Sequence, residues 1–361
     1  MKKILMINTV GYGQNGIVSV CANLCEGLDF HKYKVDLVSF YDIDEQIFKK
    51  FENTHTKLYV LPHRKTELKS YLVQLYKMMK VNHYDIVHVH GNSSTMIIES
   101  ILARLCHIKN IVVHCHNNNT SHAFLNSCLK PFFKLSYTDA VACSHLAGQW
   151  LFGKSHYSII KNGIHSHDFI FDTSARMEIR KKLNITDELV LGHVGLFNQQ
   201  KNQEFLLKLI KQLVQKDISC RLLLLGDGEL KEQLMKLTYE FNIQDYVIFL
   251  ENTNDIPQFL SAMDVFVFPS KWEGFGLAIL EAQANGLPCL VSNFVSDDVN
   301  ITKDLIYISL DDLDLWIEKI LSLDLSLRYQ QSLGNIKKIR EANYDFENIV
   351  QDLEDLYSHS R

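Results

Sequence analysis

Two acids, Glu273 and Glu281, stand eight positions apart in PSKWEGFGLAILEAQANGLPCLVSN, residues 269–293. Glu273 precedes a Gly-Phe-Gly turn, and Glu281 lies inside the apolar segment that follows. The text predicts a strand at DVFVFPS, a turn at WEGFG and a helix at LAILEAQANG. The free amides and positive end of that helix then fall at Gly274, Phe275 and Gly276, which makes a site for an anion. Glycines let a phosphate come close without a Cβ clash. Glu273 would repel a phosphate, so its chemistry suits hydroxyls just beyond one. Glu281, flanked by Leu277, Leu280 and Ala282, is a carboxylate in apolar surroundings and needs a partner; a diol offers two donors. The stretch therefore asks for hydroxyls, phosphate, hydroxyls, as in a nucleotide-sugar. The plainer reading is a pair of acids that cap and solubilise a helix.

The elements that must position these acids recur along the chain. Strand candidates at 3–9, 34–40, 86–90, 110–116, 139–144 and 157–163 alternate with helical patterns such as 17–30, 67–80 and 94–106. The pattern lapses at 163–188, then restarts with strands at 189–196, 221–226 and 246–250, and at DVFVFPS and PCLVSN. Alternation at this spacing predicts parallel sheets covered on both faces, in two α/β domains of Rossmann-like type facing across a cleft. The expected boundaries are 1–165 for the first domain, 166–188 for a linker and entry helix, and 189–340 for the second domain. The last segment, 341–361, is expected as a helix returning toward the first domain.

Charge is divided unevenly. Residues 1–165 hold 18 Lys and Arg against 11 Asp and Glu, a balance of +7, and the remainder holds 19 against 31, a balance of −12. A basic half points to an anionic partner such as phosphate or a lipid surface. The eight cysteines are scattered without a Cys-x-x-Cys, as expected of reduced thiols in a cytosolic protein. MKKILMINTV reads as a first strand rather than a signal peptide, and no run approaches the eighteen apolar residues of a membrane span.

Taken together, the acid pair and its neighbours resemble the retaining glycosyltransferases of family 4, which have the GT-B fold, and in particular those of bacterial capsule and exopolysaccharide synthesis. The matching pieces are YDIVHVHG at 84–91, VVHCHNN at 112–118, KNGI at 161–164, HVGLFNQQKNQEFLL at 193–207, LLLLGDGELKEQL at 222–234, residues 254–288, and YDF at 344–346. The resemblance implies a donor, UDP-linked by family habit, with Glu281 on the ribose and Glu273 on the sugar hydroxyls. The amides of Gly274, Phe275, Gly276 and Leu277 would hold the distal phosphate, and Lys201 would clamp the diphosphate. The family's Arg after Gly195 is replaced by Leu196, a departure with three readings: another base takes its place, the donor binds differently, or the protein is a weak or silent copy. Gly16 matches the glycine between first strand and first helix, and His116 the histidine that touches the donor sugar; His114, two residues earlier, shares its strand face.

The resemblance implies no cofactor and no metal. Three other patterns compete with it. Gly11, Gly13 and Gly16 with Asp42 read as a dinucleotide fingerprint, but one that leaves Glu273 unexplained. Asp42-Ile43-Asp44 is a metal-binding pattern in the other glycosyltransferase fold, and is expected here as an exposed loop. His165, His167 and Asp168 invite a metal reading but lack a third ligand at a strand end. On the acceptor side the expected residues are Asn117, Asn118, Lys130 and Lys134, the lysines lying among the aromatics of 119–137. That segment is either plain core or a face that grazes an anionic membrane, where a polyprenyl-diphosphate-linked acceptor lies. The expectation is a cytoplasmic, peripheral hexosyltransferase without nucleic-acid partners. A silent partner subunit and a UDP-sugar epimerase of the same fold are the alternatives.

Overall fold

The computed structural model describes residues 1–9, 16–40, 56–117, 123–251 and 255–359. The chain divides into two units, Met1–Gly163 with Phe346–Arg361, and Ile164–Asp345. In the first, the apolar runs become β1 (Lys2–Asn8), β2 (Tyr33–Ser39), β3 (Lys57–Val60), β4 (Ile86–Gly91), β5 (Asn110–Cys115), β6 (Asp139–Ala142) and β7 (Ser158–Ile159). They form one parallel sheet in the order β3-β2-β1-β4-β5-β6-β7. Its helices are α1 (Gly16–Gly27), α2 (Leu68–Asn82), α3 (Ile97–Leu105), α4 (Ala123–Phe133) and α5 (His145–Phe152). Parallel neighbours need such crossovers, because a tight turn cannot return the chain to the same edge.

Period-two alternation sorts the strand residues between two faces. Leu5, Ile7, Val87, Val89, Ile111 and Val113 pack with Tyr71, Leu75 and Met79 of α2. The opposite face presents Met6, His88 and His90, with Cys25 of α1 against Met6 at 3.5 Å.

Unit 2 repeats the plan. Its strands are β8 (Leu189–Val194), β9 (Cys220–Leu225), β10 (Val247–Leu250), β11 (Val265–Phe268), β12 (Cys289–Ser292) and β13 (Ile306–Ile308). All pair in parallel in the order β10-β9-β8-β11-β12-β13. Its helices are α6 (Thr173–Lys182), α7 (Gln203–Gln215), α8 (Lys231–Glu240), α9 (Ile256–Ala262), α10 (Leu277–Ala284), α11 (Leu313–Leu321) and α12 (Arg328–Glu341). In α7 the residues Phe205, Leu206, Leu209, Ile210 and Leu213 recur at helical spacing and are all buried. α6 is capped by Asp172, and its Arg176 and Arg180 pair with Asp264 at 2.5 and 3.2 Å, which fastens it to the start of β11. The chain re-enters unit 1 as α13 (Phe346–His359). There Tyr357 is fully buried, its carbonyl accepts from Lys2 at 2.6 Å, and Glu354 meets Lys32 at 3.1 Å.

In each sheet the strand order reverses once, between β1 and β4 and between β8 and β11. Ligands of open parallel sheets bind beyond the carboxyl ends of the strands at such switch points.

Candidate active site

In unit 2 the loops after β8 and β11 flank the switch point, and a set of bonds ties them together. Lys271 N donates to Gln200 O at 2.8 Å, Gln200 Nε2 to Trp272 O at 2.9 Å, and Asn202 Nδ2 to Pro269 O at 3.1 Å. The loop after β12 joins from the other side. Glu273 N donates to Phe294 O at 3.1 Å and Ser296 N to Glu273 O at 3.2 Å, so Glu273 and Val295 form an isolated bridge. Within this frame Lys201 Nζ makes a short ion pair with Glu273 Oε2, both side chains mostly buried, and Lys201 lies 4.6 Å over the Phe268 ring. Two residues 72 positions apart in sequence, each expected at the donor, are thus held in direct contact.

α10 begins at Leu277, after the Gly274-Phe275-Gly276 turn that follows Glu273. Gly276 caps it at φ 78°, a left-handed conformation that favours glycine, and the first intrahelical bond is Ile279 N to Gly276 O. The amides of Gly276, Leu277 and Ala278 precede that bond, as first-turn amides do, and their dipoles favour an anion. A Cβ built on Gly274 would meet nothing within 4 Å, so open space lies beside it. Phe275 stacks on Tyr344 at 4.9 Å and 16°, which ties this turn to the YDF segment. Glu281 is half-buried rather than deep. Ile279, Leu280 and Ala282 are the residues of α10 that turn into the core, and Glu281 falls at the margin of their face.

Leu196 is also half-buried, and its carbonyl accepts from Gln203 Nε2 at 2.8 Å. The backbone here runs close to the Gly226-Asp227-Gly228 turn. A Cβ on Gly226 would collide with the Gly195 carbonyl, and one on Gly228 would lie 2.6 Å from the Phe197 carbonyl. His193 is buried under the loop, with Nδ1 3.0 Å from Val267 O; burial pushes its pKa down to about 3.

The unit 1 residues form a different kind of site. β4 and β5 pair with His90 opposite His114, so the alternating His88, His90, His114 and His116 share one face. Their rings stack, with centroids 4.1 Å apart for His88 and His90 and also for His114 and His116, and 5.1 Å for His90 and His116. Tyr357 OH lies 2.6 Å from His88 Nδ1, and His90 Nδ1 lies 2.8 Å from His116 Nε2. Burial lowers the pKa of all four, that of His116 to about 4, so the array is neutral at physiological pH.

The sequence implies no metal site, yet His88, His90 and His114 each bring a ring nitrogen within 4.8 Å of the others. Their ring planes are inclined by only 24°, 12° and 36°. A ligating lone pair lies in its ring plane, and planes so nearly parallel do not converge on one tetrahedral centre. As placed, the rings form a ladder rather than a coordination shell. His165, His167 and Asp168 lie in the turn opening unit 2, with His167 and Asp168 exposed; they gather no three-ligand group among the described residues.

On α4 the sequence alternatives separate residue by residue. Phe133 is buried, while Phe124, Leu125 and Phe132 are exposed, as is Leu135 just beyond the helix. Lys130 does not project freely; its ammonium donates to Trp150 O at 2.6 Å, and Lys134 is exposed. Among the described residues, no helix is long and apolar enough to cross a membrane. Gly16 opens α1 and Asn117 follows β5, whereas Gly11, Gly13, Asp42, Asp44 and Asn118 lie outside the described residues. Sequence reasoning gave no role to His90, although HVH was visible.

Comparison with known proteins agrees with this architecture. The family profile Glycosyltransferase Family 4 matches residues 14–168, and that of Glycosyl transferases group 1 matches residues 175–304. EpsF of Bacillus subtilis (strain 168), which is named as a glycosyltransferase, is 29% identical over 339 residues, 88% of this chain and 87% of its own. The UDP-Gal:alpha-D-GlcNAc-diphosphoundecaprenol alpha-1,3-galactosyltransferase of Escherichia coli is 33% identical over 273 residues, 69% of this chain and 68% of its own. Among solved structures, Anabaena HepE in complex with UDP and glucose superposes with a TM-score of 0.81 at 18% identity, covering 99% of this chain and 100% of that one. The chain belongs to the glycosyltransferases of GT-B fold, among those related to group 1 and family 4.

Proposed function

We propose that this chain is a retaining, metal-independent transferase that moves a hexose or N-acetylhexosamine from a UDP-sugar to a lipid-linked glycan, in the synthesis of capsule, exopolysaccharide or another surface glycan. The observation that carries the reading is the Lys201–Glu273 pair, set at a switch point directly ahead of the amide-rich start of α10. The name of the E. coli relative supports a UDP-sugar donor and a diphosphoundecaprenol-linked acceptor, and HepE binds UDP and glucose.

The roles are those the resemblance implies, and the charge and position of the unit 2 residues support them. The donor diphosphate takes Lys201 and the amides of Gly274, Phe275, Gly276 and Leu277; Glu281 accepts from the ribose hydroxyls and Glu273 from the sugar. By the family resemblance His116 is assigned to the donor sugar and Gly16 to a donor phosphate. Transfer proceeds on one face of the sugar. The bond from the anomeric carbon to the diphosphate breaks, the bond to the acceptor oxygen forms, and the acceptor proton goes to the departing diphosphate. Lys201 and the helix end stabilise the charge that develops there. Asn117, Asn118, Lys130 and Lys134 are assigned to the acceptor side, Lys134 through an anionic membrane surface, while the Lys130 ammonium is held by Trp150 O.

Leu196 favours a second reading, a silent partner subunit that binds donor without transferring it. A UDP-release screen across sugar donors, with and without a polyprenyl-diphosphate glycan and in excess chelator, separates the two. Acceptor-dependent release that survives chelation supports the transferase. Donor binding without release under any pairing supports the silent subunit.

A further inference from the structure

The paired segments that carry Glu273 in unit 2 have a second face. Glu273 and Val295 form their bridge, with Glu273 N donating to Phe294 O at 3.1 Å and Ser296 N to Glu273 O at 3.2 Å. Successive side chains of extended chain point to opposite sides. Val295 turns into the core and Glu273 onto Lys201. Trp272 and Phe294, one residue before each of them, turn outward and are 57% and 59% exposed. Their backbones are pinned: the Trp272 carbonyl accepts from Gln200 Nε2 at 2.9 Å, and the Phe294 carbonyl from Glu273 N.

This exposure sets the two rings apart. Of the chain's three tryptophans, Trp316 is fully buried and Trp150 packs against the core of unit 1. The other rings near Glu273 are engaged, Phe268 under Lys201 and Phe275 on Tyr344, whereas Trp272 and Phe294 lie open to solvent. Clustered apolar surface with a polar rim marks a binding surface, and the charge of the rim selects the occupant. The exposed charges within four residues of the pair are Lys271, Asp297 and Asp298, one base against two acids. An anionic lipid surface or a phosphate asks for the opposite balance. A neutral sugar fits it. A pyranose has a face of C–H groups, which the electron-rich face of an aromatic ring attracts, and a rim of hydroxyls, from which carboxylates accept. The Asp297 carboxylate is held in place by Tyr307 OH at 3.3 Å and Asn300 Nδ2 at 3.1 Å.

We propose that Trp272 and Phe294 form an aromatic platform for a neutral sugar ring of the acceptor glycan, on the opposite side of the bridged segments from the donor. The acceptor role rests on the transferase reading, and adds to it a specificity surface contributed by unit 2. The donor sugar is not the occupant, because the carboxylate assigned to it points the other way, at Lys201. A sugar on the platform engages the chain one residue from the donor acid without competing for Lys201 or the start of α10.

The test uses the whole chain, and Trp272 is its own reporter because Trp316 is buried. Acrylamide quenching of tryptophan fluorescence should fall when methyl glycosides of galactose or N-acetylglucosamine are added, and Trp272→Ala should abolish this protection. Trp272→Ala and Phe294→Ala should each raise KM for the polyprenyl-diphosphate glycan that gives UDP release by about 10-fold, the worth of one aromatic contact, and leave donor hydrolysis and UDP affinity unchanged. Trp272→Phe keeps a ring and should stay within about 3-fold of the wild type. Donor hydrolysis that falls as far as transfer would put the pair on the donor and overturn the platform. Unchanged acceptor KM in both alanine variants, or equal behaviour of Trp272→Ala and Trp272→Phe, also overturns it. So does protection of Trp272 by phosphatidylglycerol vesicles and not by glycosides, which assigns the pair to a membrane, or protection that grows with protein concentration alone, which assigns it to a second copy. Glycoside protection without transfer to any acceptor would overturn the transferase reading, and the acceptor role with it, and leave a glycan-binding surface.

Discussion

The two units present their polar groups in opposite states. In unit 2 the charged groups of the site are already paired: Lys201 holds Glu273, and the loops around them are tied by backbone bonds. In unit 1 the polar groups are neutral: four buried histidines. A paired site suits the proposed donor, because the diphosphate would take Lys201 while the sugar hydroxyls take the Glu273 carboxylate, so that neither charge is left alone. A neutral site suits an uncharged group. Net charge would suggest the reverse, since the proposed anion site lies in the acidic part of the chain and the neutral histidines in the basic part. Helix ends and one well-placed lysine outweigh summed charge at contact distance, where solvent screens the remainder.

The contrast can be broken most forcefully at Lys201. Lys201→Ala removes the clamp in that loop and should lower kcat about 100-fold or more, on the scale of losing one donor to a developing oxyanion. Normal turnover would mean that the diphosphate is not held there.

Acid should distinguish the units next. His88, His90, His114 and His116 are in unit 1, and His193 is the buried histidine of unit 2. Each has a folded pKa below its unfolded value, so between the two the unfolded chain binds the extra proton, and stability falls as pH drops. Each group weakens folding by about 1.4 kcal/mol per pH unit across that window. Urea titrations at pH 7, 6 and 5, read by hydrogen exchange in each unit, should show unit 1 losing stability faster from about pH 6.5 downward. Equal loss in the two units would contradict the neutral array.

Smaller effects sharpen the picture. Leu196→Arg should raise turnover several-fold if the clamp is incomplete; an unchanged rate would show that another group has taken the place of the Arg. Lys134→Glu should weaken binding to anionic vesicles at low salt by about 1 kcal/mol without changing hydrolysis of the sugar donor. No salt-dependent vesicle binding in the wild type would remove the membrane from the account.

Much of this was legible in the sequence because local pattern carried it. Strand and helix alternation marked β1, β2, β4, β5, β8, β9 and β11, and the glycines of WEGFG marked the turn that opens α10. β3 and β13 escaped, being edge strands of four and three residues with little apolar alternation to see. Glu281 read as deeper than it is, since an apolar neighbourhood in sequence does not say which side of a helix turns inward. The contact of His90 with His116 depends on the register of two strands 24 residues apart. The stack of Phe275 on Tyr344 joins positions 69 apart. Such pairings are set by tertiary packing and leave no periodic trace.

The central claim, that Glu281 serves the nucleotide and Glu273 the sugar, is tested most directly by calorimetry with UDP and the intact donor on Glu281→Gln and Glu273→Gln. Glu281→Gln should weaken UDP binding by roughly 1–3 kcal/mol, the loss of a charge-assisted acceptor. Glu273→Gln should leave UDP affinity intact and lose affinity and turnover only with the donor that carries its sugar. Equal losses for free UDP in both variants, or none in a folded Glu281→Gln, would contradict it.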